Sequence, residues 1–429
     1  MTALIISIFV LGYIAIASEH FIKINKAATA LVTGVLCWTV YTFLSPDKLL
    51  VSEELTRHMG ELSGILFFLL GAMTIVELID AHDGFDIITT RITQTDKRKL
   101  LWTVAFITFF LSPILDNLTT TIVIISMLRK LIEYEKERLF FAGIVVVAAN
   151  AGGAWSPIGD VTTTMLWIGG QITASNIIIK LILPSLMCLT IPLIYLSFKL
   201  KGNIKRPDIE LNPNNQALSQ KHQSIIFFSG VCILILVPVF KMVTQLPPFM
   251  GILIGLGILW IITIFIHGQK EKVSEDKHKL SVAHALRKID TPSILFFLGI
   301  LISIAALQSA GILSELAQWL TATLQNDNII VILIGLLSSV FDNVPLVAAA
   351  QGMFDLNQYP TDHYFWEFLA YCTGTGGSAL IIGSAAGVVA MGMEKISFFW
   401  YLKKISLLAL LGYFAGAITY ILQHQIFGL

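Results

Sequence analysis

Charge is scarce in this sequence. Only 13% of its 429 residues are Asp, Glu, Lys or Arg, against 55% hydrophobic ones, and the mean hydropathy is +0.79. So few charges cannot cover the surface of a water-soluble domain, which excludes a soluble enzyme or binding module. The 28 basic and 28 acidic residues cancel, so the sequence lacks the basic excess that marks nucleic-acid binding. Cysteine is sparse too. Cys37, Cys188, Cys232 and Cys372 lie singly in apolar runs without a CxxC pair, and they read as small core residues, not as disulfides or metal ligands. GxSxG and HExxH are missing, so an intramembrane hydrolase has neither a nucleophile motif nor a zinc motif. Met1-Thr2-Ala3-Leu4 carries no basic n-region, and no cleaved signal peptide is expected.

Apolar runs near the ~20 residues that cross a ~30 Å hydrocarbon layer are abundant. They fall at 3–17, 27–44, 61–79, 139–168, 173–198, 223–240, 247–267, 291–308, 364–393 and 400–427. Two further apolar stretches turn at a polar tip. Arms 100–114 and 118–132 flank Asp116-Asn117, and arms 328–341 and 344–353 flank Asp342-Asn343. An arm of roughly 14 residues reaches only ~21 Å as helix. Both pairs are therefore expected to be re-entrant hairpins, whose irregular backbone is tolerated only inside protein or beside a wet cavity.

The two halves lie over each other in register. Ile65-Leu66-Phe67-Phe68-Leu69 matches Ile294-Leu295-Phe296-Phe297-Leu298, the Asp-Asn pairs follow, and Gly152-Gly153 through Gly159-Asp160 matches Gly376-Gly377 through Gly383-Ser384. The offsets are 229, 226 and 224. The expected fold is an all-α polytopic membrane protein made of two repeats, each with five transmembrane helices and one hairpin. The first repeat covers 1–198, a linker 199–222, and the second repeat 223–429. With the N-terminus on side A, 24 of the 28 Lys and Arg fall on side B, leaving Lys48, Arg57, Lys180 and Lys241 on side A. Basic loops stay in the cytoplasm, so side B is read as cytoplasmic and both termini as outside. Five crossings separate matching elements. The repeats are thus inverted, with the Asp116 hairpin entering from the cytoplasm and the Asp342 hairpin from outside. Inverted repeats with broken helices are a secondary-transporter architecture.

The candidate site residues follow from what such an interior tolerates. A carboxylate at membrane depth is costly and marks function by default, which singles out Asp116 and Asp342. Helix capping is the plainer reading of both. Asn117 and Asn343 add amide oxygens, and Thr119, Thr120 and Thr121 add hydroxyls to the first tip only. Three glycines and Pro157 break the run from Asn150 to Asp160, which no regular helix survives. Unwinding there at Gly152, Gly153 and Gly159, and in the second half at Gly376, Gly377 and Gly383, frees backbone carbonyls that suit Na+ or Li+. Close helix packing is the alternative use of these glycines. Asp160 and Thr162 follow the first break, and Ser384 stands where the first copy has Asp160. A nucleotide fingerprint in the Gly-rich run lacks its strand. Glu61, Glu77 and His82 form a weaker set, read as a proton relay or pH sensor against a solvated span end, an inner-third carboxylate and a loop histidine.

These motifs carry a resemblance. SPILDNLTTTIV at 112–123, SPIGDVTTTMLW at 156–167, FDNVPLVAAA at 341–350 and the run 65–82 resemble the NhaD-type sodium/proton antiporters of the ion transporter superfamily. That superfamily also holds divalent-anion symporters and arsenite permeases. The resemblance implies a homodimer with a fixed scaffold and a moving transport unit that holds the hairpins. The expected activity is exchange of Na+ or Li+ for protons by alternating access, with no cofactor, no nucleic acid and a bacterial inner membrane as the setting. Sodium would sit at an Asp116/Asp342/Asp160 cluster, with Asn150 beside it. An arsenite or dicarboxylate permease on the same fold is the alternative. A channel is a further one, disfavoured by the broken inverted repeats.

Overall fold

The computed structural model describes residues 2–17, 22–85, 87, 92–207, 220–267 and 281–427. Most of the linker (208–219), the basic stretch 268–280 and Arg91 lie outside the described residues. The described chain is helical apart from one antiparallel bridge, Asp96 with Asn203. In order come α1 (Thr2–Ala17), α2 (Lys26–Leu44), α3 (Lys48–Ala81), α4 (Lys97–Leu115), α5 (Asn117–Leu131), α6 (Glu135–Gly153), α7 (Val161–Ile168) and α8 (Ala174–Lys199). The second half gives α9 (Gln220–Thr244), α10 (Pro248–His267), α11 (Val282–Lys288), α12 (Thr291–Ser309), α13 (Ile312–Leu324), α14 (Asp327–Leu337) and α15 (Asn343–Met353). Then follow α16 (Tyr364–Gly376), α17 (Ala385–Glu394) and α18 (Phe398–Tyr401), which runs through a π-helical turn (Leu402–Ser406) into α19 (Leu407–Phe427). Among the described residues eight helices are long and apolar enough to cross a membrane, or nine if α13 and α14, bent by 119°, count as one. This is a multi-pass membrane protein.

The helices pack in two layers. In the first, α2 packs on α1 and α12, and α3 on α10, α9 and α12. In the second, α4 and α5 pack on α6, α14 on α16, and α8 on α19. The contacts of α5 and α15 cross between the halves of the chain. Helix α5 packs on α17, and α15 packs on α7.

The arms differ from their expected lengths. Helix α4 has 19 residues, ~28 Å, because Asp96 caps a cationic first turn by accepting from the N–H groups of Arg98 and Lys99, each at 3.0 Å. Counting apolar residues alone hides that turn. The chain nevertheless reverses after α4. Lys97 N–H donates to Gly202 O at 3.0 Å and Glu133 N–H to Lys205 O at 3.0 Å, so both ends of the α4–α5 pair meet the same short segment. In the other pair, Tyr359 OH donates to Asp327 Oδ2 at 3.0 Å, which again joins the two ends. Helix α3 also outruns its expected span of 61–79. Asp47 caps it through the N–H groups of Leu49 and Leu50, and no proline interrupts residues 48–60, so it extends for 34 residues, ~51 Å.

Candidate functional site

The site lies where two tips meet two helix breaks. Between α6 and α7 the chain unwinds over 154–160, and between α16 and α17 over 377–384. Glycine is required at the folds. A Cβ on Gly159 would come within 2.8 Å of Gly153 Cα and 2.9 Å of Pro113 Cα, and one on Gly383 within 2.5 Å of Ser339 O. Each break is thereby pressed against the adjacent tip. Matching hydroxyls hold the arms: Ser112 Oγ donates to Ala149 O at 2.6 Å, and Ser338 Oγ to Thr373 O at 3.1 Å.

The tips themselves differ. Asp116 has φ 75° and ψ 163°, a region reserved almost entirely for glycine that costs about 1–3 kcal/mol for other residues. Asp342, at φ −56° and ψ 139°, is relaxed. Both cap the helix that follows. Asp116 accepts from Thr119 N–H at 2.7 Å and Thr119 Oγ1 at 3.0 Å, and Asp342 from Val344 N–H at 3.3 Å.

Asp160 forms the hub. It is 2% exposed and accepts three kinds of donor. Thr162 N–H reaches Oδ1 at 3.0 Å, capping α7, while Asn117 Nδ2 from the first tip reaches Oδ2 at 2.9 Å. Asn343 Nδ2 from the second tip straddles the carboxylate at 3.3 and 3.4 Å. Every one of these donors is neutral. Asn117 Nδ2 also donates to Asn150 Oδ1 at 3.0 Å, and Asn150 Nδ2 donates to Ser378 Oγ and Ser384 Oγ, each at 2.9 Å. Ser384 Oγ caps α17 by accepting from Gly387 N–H at 3.2 Å. The Thr120 hydroxyl is fully buried and has no hydrogen-bond partner among the described residues.

Asp116 and Asp342 flank this network half-buried. Asp342 and Ser384 line a cavity of about 700 Å³, with Tyr13 and Val388 on its walls and Lys23 and Lys26 also bordering it. Asp116 borders only a small gap against Phe68, Leu69 and Val76 of α3. A donor set of carboxylates, amide oxygens and hydroxyls is hard-oxygen chemistry, suited to a small cation.

Glu61, Glu77 and His82 stand apart from it. Glu61 lies within α3, with its side chain 66% exposed and 3.6 Å from His58. Glu77 pairs with Lys288 of α11 at 3.3 Å. His82 is no exposed loop residue: it is buried at the end of α3, and its Nδ1 donates to Leu78 O at 2.7 Å. Two contributors escaped the sequence reading. Ser378 aligns with Ala154 across the halves, so matching the repeats hides it. Tyr401, whose OH donates to Ser378 O at 2.8 Å, sits in an apolar run and gives no local signal.

A family model described as "Citrate transporter" (CitMHS) matches residues 13–366. Sodium/proton antiporter 1 of Arabidopsis thaliana is 48% identical to the chain, over 98% of this chain and 72% of its own length. The Na+/H+ antiporter NhaD of Alkalimonas amylolytica is 30% identical over 93% of this chain and 86% of its own, and that of Vibrio cholerae 29% over 98% and 91%. The crystal structure of the Alcanivorax borkumensis YdaH transporter, reported to have an unusual topology, superposes with a TM-score of 0.61 at 11% identity, covering 94% of this chain and 99% of that one. At that identity the likeness speaks for the fold alone. With the family model spanning most of the chain and relatives aligned over nearly all of it, the chain belongs to the citrate transporter (CitMHS) family and to the NhaD-type sodium/proton antiporters.

Proposed function

We propose that this chain is a secondary transporter that exchanges Na+ or Li+ for protons by alternating access, with no resident cofactor. The bonding of Asp160 carries the reading. A buried carboxylate held only by neutral donors needs a counter-charge, and either a cation or a proton supplies it. Cation and proton compete for the same oxygens, which couples the two fluxes. The competition also reaches the tips. A protonated oxygen of Asp160 becomes a donor and faces amide donors. Asn343, with the longest contacts at 3.3 and 3.4 Å, is placed to yield first, so proton occupancy loosens the second tip. Asp116, Asp342, Asn117, Asn343, Thr119, Thr120, Asn150, Thr162 and Ser384 complete the pocket. A citrate or other dicarboxylate anion would meet three acids at the same place, which disfavours a dicarboxylate permease. Arsenite is uncharged and escapes that repulsion, but the relatives aligned over nearly all of the chain are named sodium/proton antiporters, so neither alternative is favoured.

Two features support the inverted repeat of five spans and one re-entrant hairpin per half, within 1–198 and 223–429. The Ser112 and Ser338 bonds recur at offsets of 226 and 224, and α5 and α15 each pack on the short half-helix of the other half. The cytoplasmic placement of side B, both termini outside, a bacterial inner membrane and a homodimer complete the proposal. Proteoliposomes test the function. A Na+ gradient should drive proton movement, while K+ and citrate gradients should not. Proton movement driven by citrate and not by Na+ would overturn it.

A further inference from the structure

Lys241 is one of four cations that the charge count leaves on side A, and the structure gives it a task. It sits near the end of α9 in the first layer, half-buried, and reaches across to α7, which packs on α16 of the second layer as well as on α3 of the first. Its Nζ donates to Trp167 O at 2.8 Å and lies 4.6 Å from the centroid of the Trp167 ring. Trp167 is 2% exposed and also meets Phe68 of α3 edge-on, with centroids 6.5 Å apart. Trp167 O lies in the last turn of α7, where it accepts a long backbone contact from Gly170 N–H at 3.4 Å and where the helix dipole favours a cation. Helix α7 has eight residues, ~12 Å. Its first residue follows Asp160, and its far end is held by Lys241. A rod this short transmits the position of one end to the other.

We propose that Lys241 is a positioning residue for the exchange. By clamping the end of α7 to the first layer, it holds the Asp160 hub in the arrangement whose cavity opens past Asp342 and Val388, and it must let go when the second layer moves. The proposal rests on the alternating-access reading above. The charge, the hydrogen bond and the ring contact act together here, since a cation over a desolvated indole is worth more than one in water.

The test reads the arrangement without any transported ion. Cys232, the exposed native cysteine, is replaced by Ser in the full-length protein, and Val388→Cys reports access through the 700 Å³ cavity to a membrane-impermeant maleimide. Lys241→Met should slow that labelling at least threefold, because the clamped arrangement loses population. Lys241→Arg keeps the cation and should stay within twofold of the parent. Trp167→Phe keeps the accepting carbonyl and a ring, and should fall between them. Labelling of the Lys241→Met variant within twofold of the parent, or faster, would overturn the clamp. So would equal slowing in Lys241→Arg, which would indicate general loosening of the fold. Because the readout needs no Na+, its failure is separable from failure of Na+/H+ exchange, which the gradient assay reads by itself.

Discussion

Replacing the two tip acids by glycine separates backbone strain from chemistry. Asp116 sits at φ 75°, ψ 163°, and Asp342 at φ −56°, ψ 139°. Glycine releases about 1–3 kcal/mol of strain at the first position. Against this stands a few tenths of a kcal/mol for replacing an Asp cap by glycine and about 0.5–1 kcal/mol for the added freedom of the unfolded chain. Asp116→Gly is therefore expected to leave the protein as stable as the parent or up to about 2 kcal/mol more so. Asp342→Gly has no strain to release and should cost about 1 kcal/mol. The gap of about 1–3 kcal/mol between two chemically identical changes is the strain itself. Thermal unfolding in detergent measures it, with Asp116→Gly melting above Asp342→Gly. Both should lose Na+-driven proton movement, since each removes a carboxylate from the pocket. If Asp342→Gly melts higher, the strain assigned to Asp116 is not there. If Asp116→Gly transports normally, the first tip needs its conformation and not its acid.

Two further changes probe the network. Asp160→Ser keeps a capping oxygen for α7 but withdraws the acceptor that Asn117 and Asn343 share, so half-saturating Na+ should rise at least tenfold, about 1.4 kcal/mol; Ser384→Ala removes one neutral oxygen and should raise it less, and the reverse order would refute Asp160 as the hub. Glu394, with a side chain 1% exposed, pairs with Arg129 and Arg138 at 2.6 Å each, so Glu394→Gln should lower stability by about 3 kcal/mol, the low end for breaking a buried pair because Arg129 is half exposed, as read from the unfolding midpoint.

The sequence was legible wherever a residue was out of place. Asp-Asn pairs and glycine clusters inside apolar runs are chemically anomalous, and they located the tips and breaks without help from tertiary contacts. Helix ends were less legible. The cationic first turn of α4 and the polar start of α3 read as loop by hydropathy, yet Asp96 and Asp47 cap them into helix. A meeting of tips and breaks was expected, but the pairings made there were not legible. The two tips differ in the chain by the hydroxyls of the first, yet nothing local says that Asp160 is where Asn117 and Asn343 both end. Glu394 is 265 residues from Arg129, and its pairing leaves no spacing to read. Lys241 was visible only as an exception to the charge rule, and its contact with Trp167 gives that exception a place against α7.

The mismatches between the halves are what let one carboxylate address both tips. At the breaks, Asp160 faces Ser384, Asn150 faces Gly374 and Ala154 faces Ser378 in the register of the repeat. The first half supplies the acid and the amide, and the second supplies two hydroxyls. These are complementary, because Asn150 Nδ2 donates to both hydroxyls while its oxygen accepts from Asn117. A symmetric copy with Asp at 384 would set two carboxylates side by side, and their repulsion would favour a permanently shared proton over a cation. A symmetric copy with Ser at 160 would leave Asn117 and Asn343 without a common acceptor and the centre without charge. With a single buried carboxylate between two tips, any change in its occupancy alters the hydrogen bonds of both at once. Strict alternation of access requires that the two sides respond to the same event.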